Sequence, residues 1–192
     1  EDKSKFGVGT YGFYLKDADG NWWRIEENNG PFGPMEIPPD AEPRNSLVPA
    51  GPVSYVTLEC KNLEASLRFY REFLGIDAER RGPGYFWSRG NGGVNVIVVE
   101  VGARVMEQTV LNHHGITLWT DEAMIDKIHA AAEEGKTEFG IRKVMPPTHQ
   151  HGSYSFYMQD LDTNWWEIEV WEGLVHPWEQ VVRKREAGLL KF

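Results

Sequence analysis

The chain has 192 residues, 41% of them apolar, a formal net charge of −9 and one cysteine, Cys60. A chain of this length buries a sizeable core without staples, and one cysteine excludes a disulfide framework and a Cys-based zinc cluster. The acidic balance argues against nucleic acid or an anionic membrane as main partner, no apolar run reaches the roughly 20 residues of a membrane helix, and no Lys/Arg-led apolar start marks a secretory signal, so a cytoplasmic protein is expected.

In chain order, the first patterned segment reads GTYGFYLKDADGNWWRIEENN from Gly9 to Asn29. An aromatic strand, an Asp-rich turn and a second alternating strand predict a β-hairpin. The same motif returns without a gap as GSYSFYMQDLDTNWWEIEVWE from Gly152 to Glu172. Tyr11, Phe13, Tyr14, Asp17, Asp19, Asn21, Trp22, Trp23, Ile25 and Glu26 recur as Tyr154, Phe156, Tyr157, Asp160, Asp162, Asn164, Trp165, Trp166, Ile168 and Glu169. The second copy closes a long patterned stretch, whereas the first has almost nothing before it. Residues 1–27 are therefore expected to be a partial module, the terminal hairpin of an upstream domain. Residues 28–52 hold seven of the eleven prolines, which predicts an extended linker.

Residues 53–172 divide into two similar halves. The first opens with the alternating strand SYVTLEC, followed by NLEASLRFYREFLG. There Leu63, Leu67, Phe69, Tyr70, Phe73 and Leu74 fall at helical spacing, with Asn62 as N-cap and Gly75 as stop. Strands are predicted around Ala78–Arg81, Tyr85–Arg89 and Val94–Val101. The second half opens with the strand HHGITLWT, then a helix in DEAMIDKIHAAAEEG capped by Asp121 and ended by Gly135. Strands are predicted near Thr137–Val144, Tyr154–Gln159 and Asn164–Trp171. The order is βαβββ twice, and residues 173–192 read as a helical tail.

A strand, then NLEASLRFYREFLG, then three strands, all repeated and closed by a D-x-D…E hairpin, resembles the vicinal oxygen chelate superfamily. That group contains glyoxalase I, bleomycin-resistance proteins and extradiol ring-cleaving dioxygenases. The resemblance implies an α+β fold in which paired βαβββ modules form a cupped mixed sheet around a divalent metal. An extra N-terminal β-hairpin would come from the partial module. It also implies metal ligands on the first strand of each module and on the last strand.

On the last strand, Glu167 falls at the family's metal carboxylate, and alternation turns Trp165, Glu167 and Glu169 away from Ile168 and Val170. Arg24 stands at the matching place in the first hairpin. On the first strand of the first module, Tyr55 stands where the family usually has His, with Glu59 on the same face. On the first strand of the second module, a gapless match puts Gly115 at the ligand position. His113 shares the face of Gly115, and His114 reaches it if Gly115 sits in a bulge; the reading leans to His114. Glu100, in VIVVEV, resembles a further ligand of glyoxalase-like members. His149 and His151 of THQHG resemble a proton-handling loop histidine of ring-cleaving members. The implied metal set is His114, Glu167 and Glu100, and the implied catalytic set is His149, His151 and Tyr55. Glu59, Trp119, Tyr157 and Trp165 would line the substrate pocket.

A mixed His/carboxylate site with open positions suits Fe(II) or Mn(II) better than structural zinc. The resemblance thus implies a metal-dependent enzyme, first an extradiol-type ring-cleaving dioxygenase, acting on a small aromatic or hydroxy-ketone ligand as a homodimer. The alternatives are a metal-free aromatic-ligand binding protein and a glyoxalase-like isomerase or lyase.

Overall fold

Alternating apolar residues make the strands, and two capped amphipathic helices cover them. A computed structural model describes residues 12–26, 55–89 and 94–171. The chain falls into two compact units, residues 1–52 and 53–192. In the first, β1 (Gly12–Lys16) and β2 (Trp22–Glu26) form an antiparallel hairpin. The expected linker and C-terminal tail lie outside the described residues.

The second unit has an α+β fold built from two βαβββ modules. Module one runs β3 (Tyr55–Cys60), α1 (Leu63–Arg68), β4 (Asp77–Gly82), β5 (Tyr85–Arg89) and β6 (Asn95–Glu100). Its sheet order is β3-β6-β5-β4, with β3 parallel to β6. Module two runs β7 (His113–Thr117), α2 (Glu122–Glu134), α3 (Lys136–Phe139), β8 (Lys143–Val144), β9 (Thr148–Gln150), β10 (Ser153–Gln159) and β11 (Trp165–Trp171). Its order is β7-β11-β10-β8, with β9 pairing beside β10, and β7 runs parallel to β11. Each module's first strand therefore pairs with its own last strand.

The caps are those the sequence predicts. Asn62 Oδ1 accepts from the Ala65 amide at 2.9 Å, and Asp121 Oδ1 accepts from that of Met124 at 3.0 Å; each satisfies a donor the helix leaves open. The end of α1 departs from simple α geometry. Phe69–Phe73 forms a π-helical turn, and Gly75 follows at φ 66°, a left-handed conformation that suits glycine. The strand expected near Thr137–Val144 shrinks to β8, because α3 continues the helical path past Gly135 until Gly140 turns left-handed.

The helix-side residues of both sheets meet in one core. Leu58, Phe86 and Val98 come from module one, and Phe156, Met158, Trp166 and Ile168 from module two. Tyr70, wholly buried, stands edge-on to Phe86 at 5.0 Å and to Trp166 at 5.4 Å, so one ring joins the modules. Edge-to-face rings at this separation add to what area burial alone supplies.

Polar groups fasten the same seam. Asp160 accepts from the amides of Asp162 and Asn164, from Asn164 Nδ2 and from Trp166 Nε1, all between 2.8 and 3.2 Å. Asp162 then reaches across to module one, accepting from the Lys61 amide at 2.7 Å and from the Ser66 hydroxyl. Both aspartates are buried. Burial is the largest influence on Asp160 and pushes its pKa up to about 6 in spite of four donors.

Candidate functional site

Strand alternation puts a polar cluster on the face of the second sheet that its helix does not cover. Parallel pairing of β7 with β11 sets Gly115 beside Glu167 and His113 beside Trp165. Antiparallel pairing of β10 sets Tyr157 across from Glu167. Glu167 is 9% exposed, and a buried carboxylate needs partners. Ser155 Oγ donates to its Oε1 at 2.8 Å, with Gln150 Nε2 at 3.4 Å from the same atom. Its Oε2 lies 3.2 Å from His113 Nε2. The Tyr157 ring stands edge-on to His113 at 5.0 Å. Burial first, then the Glu167 charge, pushes the Tyr157 phenol well above its ordinary range, so this hydroxyl keeps its proton. Glu169, two residues along the same face, accepts from Thr117 Oγ1 at 2.8 Å and from Trp171 Nε1 at 2.9 Å.

The other nitrogen of His113 decides what the short contact means. Nδ1 lies 2.8 Å from the Val110 carbonyl oxygen, and a carbonyl only accepts, so Nδ1 carries the hydrogen. In the neutral ring, Nε2 then presents its lone pair to the Glu167 carboxylate. Two lone pairs at 3.2 Å repel unless a cation lies against both. The cation is either a proton, giving an imidazolium–carboxylate pair, or a metal ion. Neighbouring donors on an ion with bonds of about 2.1 Å stand roughly 3.0–3.4 Å apart, and the observed spacing lies within that span. The donor pair therefore fits a divalent ion. Among the described residues no third His, Cys, Asp or Glu converges with them.

The structure brings together only some of the residues expected from the sequence. β7 pairs with β11 in unbroken register through Gly115, so the bulge that would turn His114 toward Glu167 is not formed. His114 instead faces the core, its ring 5.5 Å from that of Trp166. Glu100 points to the helix side of β6 and accepts from the Leu63 amide at 3.2 Å, capping α1. His149 lies on the opposite face from Gln150, its ring 4.7 Å from that of Tyr154 and its Nε2 3.8 Å from Glu122. His151 occupies the β9–β10 turn at φ 53°. Tyr55 is half-buried at the start of β3, opposite Asn95.

Of the expected pocket residues, Tyr157 adjoins the cluster. Glu59 and Trp165 are tied to the segment joining the modules, Glu59 by the Met106 amide and Trp165 by the Gln108 carbonyl. Trp119 lies beyond the end of β7, 90% exposed. Of the cluster, the sequence reading passes over His113 for His114 and does not name Ser155 or Gln150. Period-two alternation was the available signal, because it places Ser155 on the face of Tyr157, and Gln150 rather than His149 on that face.

Comparison with known proteins adds the family. A model of the Glyoxalase/Bleomycin resistance protein/Dioxygenase superfamily matches residues 53–168. The chain belongs to this superfamily. No curated protein matches the chain at a significant level. Among solved structures, a possible glyoxalase from Bacillus cereus is 21% identical, with 62% of this chain and 99% of that one covered and a TM-score of 0.50. The fosfomycin resistance protein FosX from Listeria monocytogenes is 18% identical, with 67% and 98% covered and a TM-score of 0.51. These likenesses show the glyoxalase/bleomycin-resistance/dioxygenase fold. Superfamily members typically use a divalent metal. No helix among the described residues is long and apolar enough to cross a membrane.

His114 gives a pH test that separates its role from that of His113. Burial, with His113 nearby, lowers its pKa from 6.5 to about 4. Between those values the unfolded chain binds a proton that the folded one does not, so this contribution is complete above pH 6.5 and is lost as pH falls toward 4. It amounts to about 3.5 kcal/mol at most, at about 1.4 kcal/mol per unit. Urea midpoints followed from pH 7 to 4 should fall, and in His114→Phe the fall should be distinctly shallower. An equal fall in that variant would mean the ring is not held neutral.

Proposed function

We propose that this chain is a metal-dependent enzyme acting on a small molecule with two adjacent oxygens, its divalent ion held by His113 and Glu167. The carrying observation is the His113 Nε2–Glu167 Oε2 spacing of 3.2 Å with Nδ1 fixed on the Val110 carbonyl. The ion, when bound, stabilises negative charge that develops on chelated substrate oxygens. Ser155 and Gln150 hold one carboxylate oxygen of Glu167 so that the other stays directed at His113. The Val110 carbonyl holds the imidazole in the tautomer that leaves Nε2 available, a supporting contact of the kind that tunes metal ligands. Tyr157, with its raised pKa, supplies a hydrogen-bond donor and a ring wall for a planar substrate.

The most specific form of the proposal is extradiol-type cleavage of an aromatic ring by Fe(II) or Mn(II), in a cytoplasmic homodimer. The aromatic wall supports a ring substrate. The facial set of two imidazoles and one carboxylate that non-haem iron oxygenases use is met here by one imidazole and one carboxylate. That shortfall favours a second reading, a metal-free binding protein in which a proton joins His113 to Glu167. A glyoxalase-like reaction needs the ion but not oxygen.

Metal content after anaerobic purification separates these readings. About one equivalent of iron or manganese, lost in Glu167→Ala, is the expected result, with oxygen uptake on adding catechols marking the ring-cleaving form. No metal, and none taken up from added Fe(II), Mn(II), Zn(II) or Ni(II), would leave the binding protein.

A further inference from the structure

The polar face that holds His113 and Glu167 continues along β11. Glu169 faces the same way and is 7% exposed. Its Oε1 takes both of its side-chain donors, Thr117 Oγ1 at 2.8 Å and Trp171 Nε1 at 2.9 Å. Its Oε2 accepts no hydrogen bond among the described residues. Ser155, opposite Glu169 on β10, gives its hydroxyl to Glu167 instead. Nor does Glu169 join His113 and Glu167 around one ion, since among the described residues no three such side chains converge. Glu169 is thus a second carboxylate in the site with a role other than ligation. A carboxylate taken out of water is stable only where something answers its charge.

Gly115 opens the path between the two carboxylates. On β7 it stands between His113 and Thr117, opposite Glu167. Its chain neighbours aside, a Cβ placed there would meet one atom within 4 Å, Glu169 Oε1 at 3.8 Å. The strip of sheet from His113 to Thr117 is therefore floored by bare backbone, and the Glu169 carboxylate leans over it. Strands rise about 3.4 Å per residue, so Glu167 and Glu169 stem from points about 7 Å apart. Trp171 extends this face, and the Trp119 ring stands 6.2 Å from its own. Indole faces attract cations, so the end of the strip suits positive charge as Glu169 does.

We propose that Glu169 selects the substrate, a small molecule with two adjacent oxygens for the ion at His113 and Glu167 and an ammonium group about 7 Å along for Glu169 Oε2. This rests on the metal-dependent reading above and adds the charge of the substrate to it. Thr117 and Trp171 hold Oε1, so Oε2 meets the arm. The ammonium group takes the place of solvent over Gly115. A neutral arm removes that solvent and returns no partner, and an anionic arm adds repulsion.

The test uses the 192-residue chain and three catechols that differ only in one arm: aminoethyl, ethyl or carboxyethyl. Calorimetric titration with Mn(II), at about 0.15 M salt to screen the overall acidity of the chain, should rank them in that order. The amine should bind about tenfold tighter than the ethyl compound or better. Glu169→Gln keeps an acceptor for Thr117 and Trp171. It should abolish the preference for the amine and leave the affinity for ethylcatechol unchanged. Phenethylamine, which has the arm and no oxygens, reads Glu169 apart from the metal. Its binding in the presence of EDTA, lost in Glu169→Gln, would support Glu169 as the cation site even if the metal reading fails. Ethylcatechol bound only with Mn(II), and the amine no tighter, would keep the metal reading and overturn this proposal. So would a preference that Glu169→Gln leaves in place, the result expected if a residue outside the described ones already answers that carboxylate. No binding of any probe overturns it as well.

Discussion

Asp160→Ala should lower the stability of the 53–192 unit by about 4 kcal/mol or more, enough to leave a domain of ordinary stability barely folded. The substitution removes the acceptor for two backbone amides and for Trp166 Nε1, all buried, and each unpaired buried donor costs about 1–3 kcal/mol. It also loosens the turn that presents Asp162 to Lys61 and Ser66, so the seam between the modules fails with it. Asp160→Asn keeps an acceptor for the two amides and should be much the milder change. The control is Asp17→Ala. Asp17 accepts from the amides of Asp19 and Asn21, from Asn21 Nδ2 and from Trp23 Nε1, so the change deletes the same network from the exposed hairpin and should leave the unfolding transition of the 53–192 unit unchanged. Urea unfolding followed by tryptophan fluorescence reads all three. The pH dependence has a definite sign: with its pKa raised to about 6, Asp160 keeps its proton longer when folded. Its contribution therefore declines as pH rises from about 4 to 6, opposite to that of His114. A near-neutral Asp160→Ala would show that the modules are held by apolar packing alone.

His113→Ala should reduce bound metal from about one equivalent to background and lower any turnover by about 100-fold or more, since loss of a supporting contact alone commonly costs 10–100-fold. His114→Phe should keep the metal. Metal analysis of the two variants side by side decides between the two faces of β7. Loss in His114→Phe with retention in His113→Ala would mean that β7 bulges at Gly115 in the working protein. Metal absent from all forms, with an aromatic ligand still bound, would make the His113–Glu167 contact a proton-joined pair.

The fold was readable because several independent signals agreed. Helical spacing in NLEASLRFYREFLG, caps at Asn62 and Asp121 and the duplicated D-x-D…N-W-W hairpin all predict elements that the structure contains. The site was less readable, for reasons that lie in particular residues. The resemblance points to Glu167 and alternation supports it, and its burial among Ser155, Gln150 and His113 follows that placement. Choosing between His113 and His114 needed the register of β7 against β11. That register is a long-range pairing, and a one-residue slip exchanges the two rings. Glu100 looked like a ligand beside an apolar strand, but alternation from Val98 puts it on the helix side, where the open Leu63 amide claims it. His149 and His151 resemble a proton-handling loop histidine, yet strand alternation in β9 puts His149 on the face opposite Gln150, and His151 sits in the following turn at φ 53°.

The pairing of first strand with last strand also sets a timetable. β7 cannot complete its sheet until β11 exists, and their registered partners His113 and Trp165 stand 52 residues apart, 165 less 113. During synthesis at about 5–20 residues per second, the strand bearing His113 waits roughly 3–10 s for its neighbour. The same closure joins His113 to Glu167, so those two side chains meet only at the final step of assembling the module. A ribosome-bound chain stopped before Trp165 already contains His113, His114, α1 to α3 and most of the core. It has no site, and its β7 edge lies open to any other strand in reach.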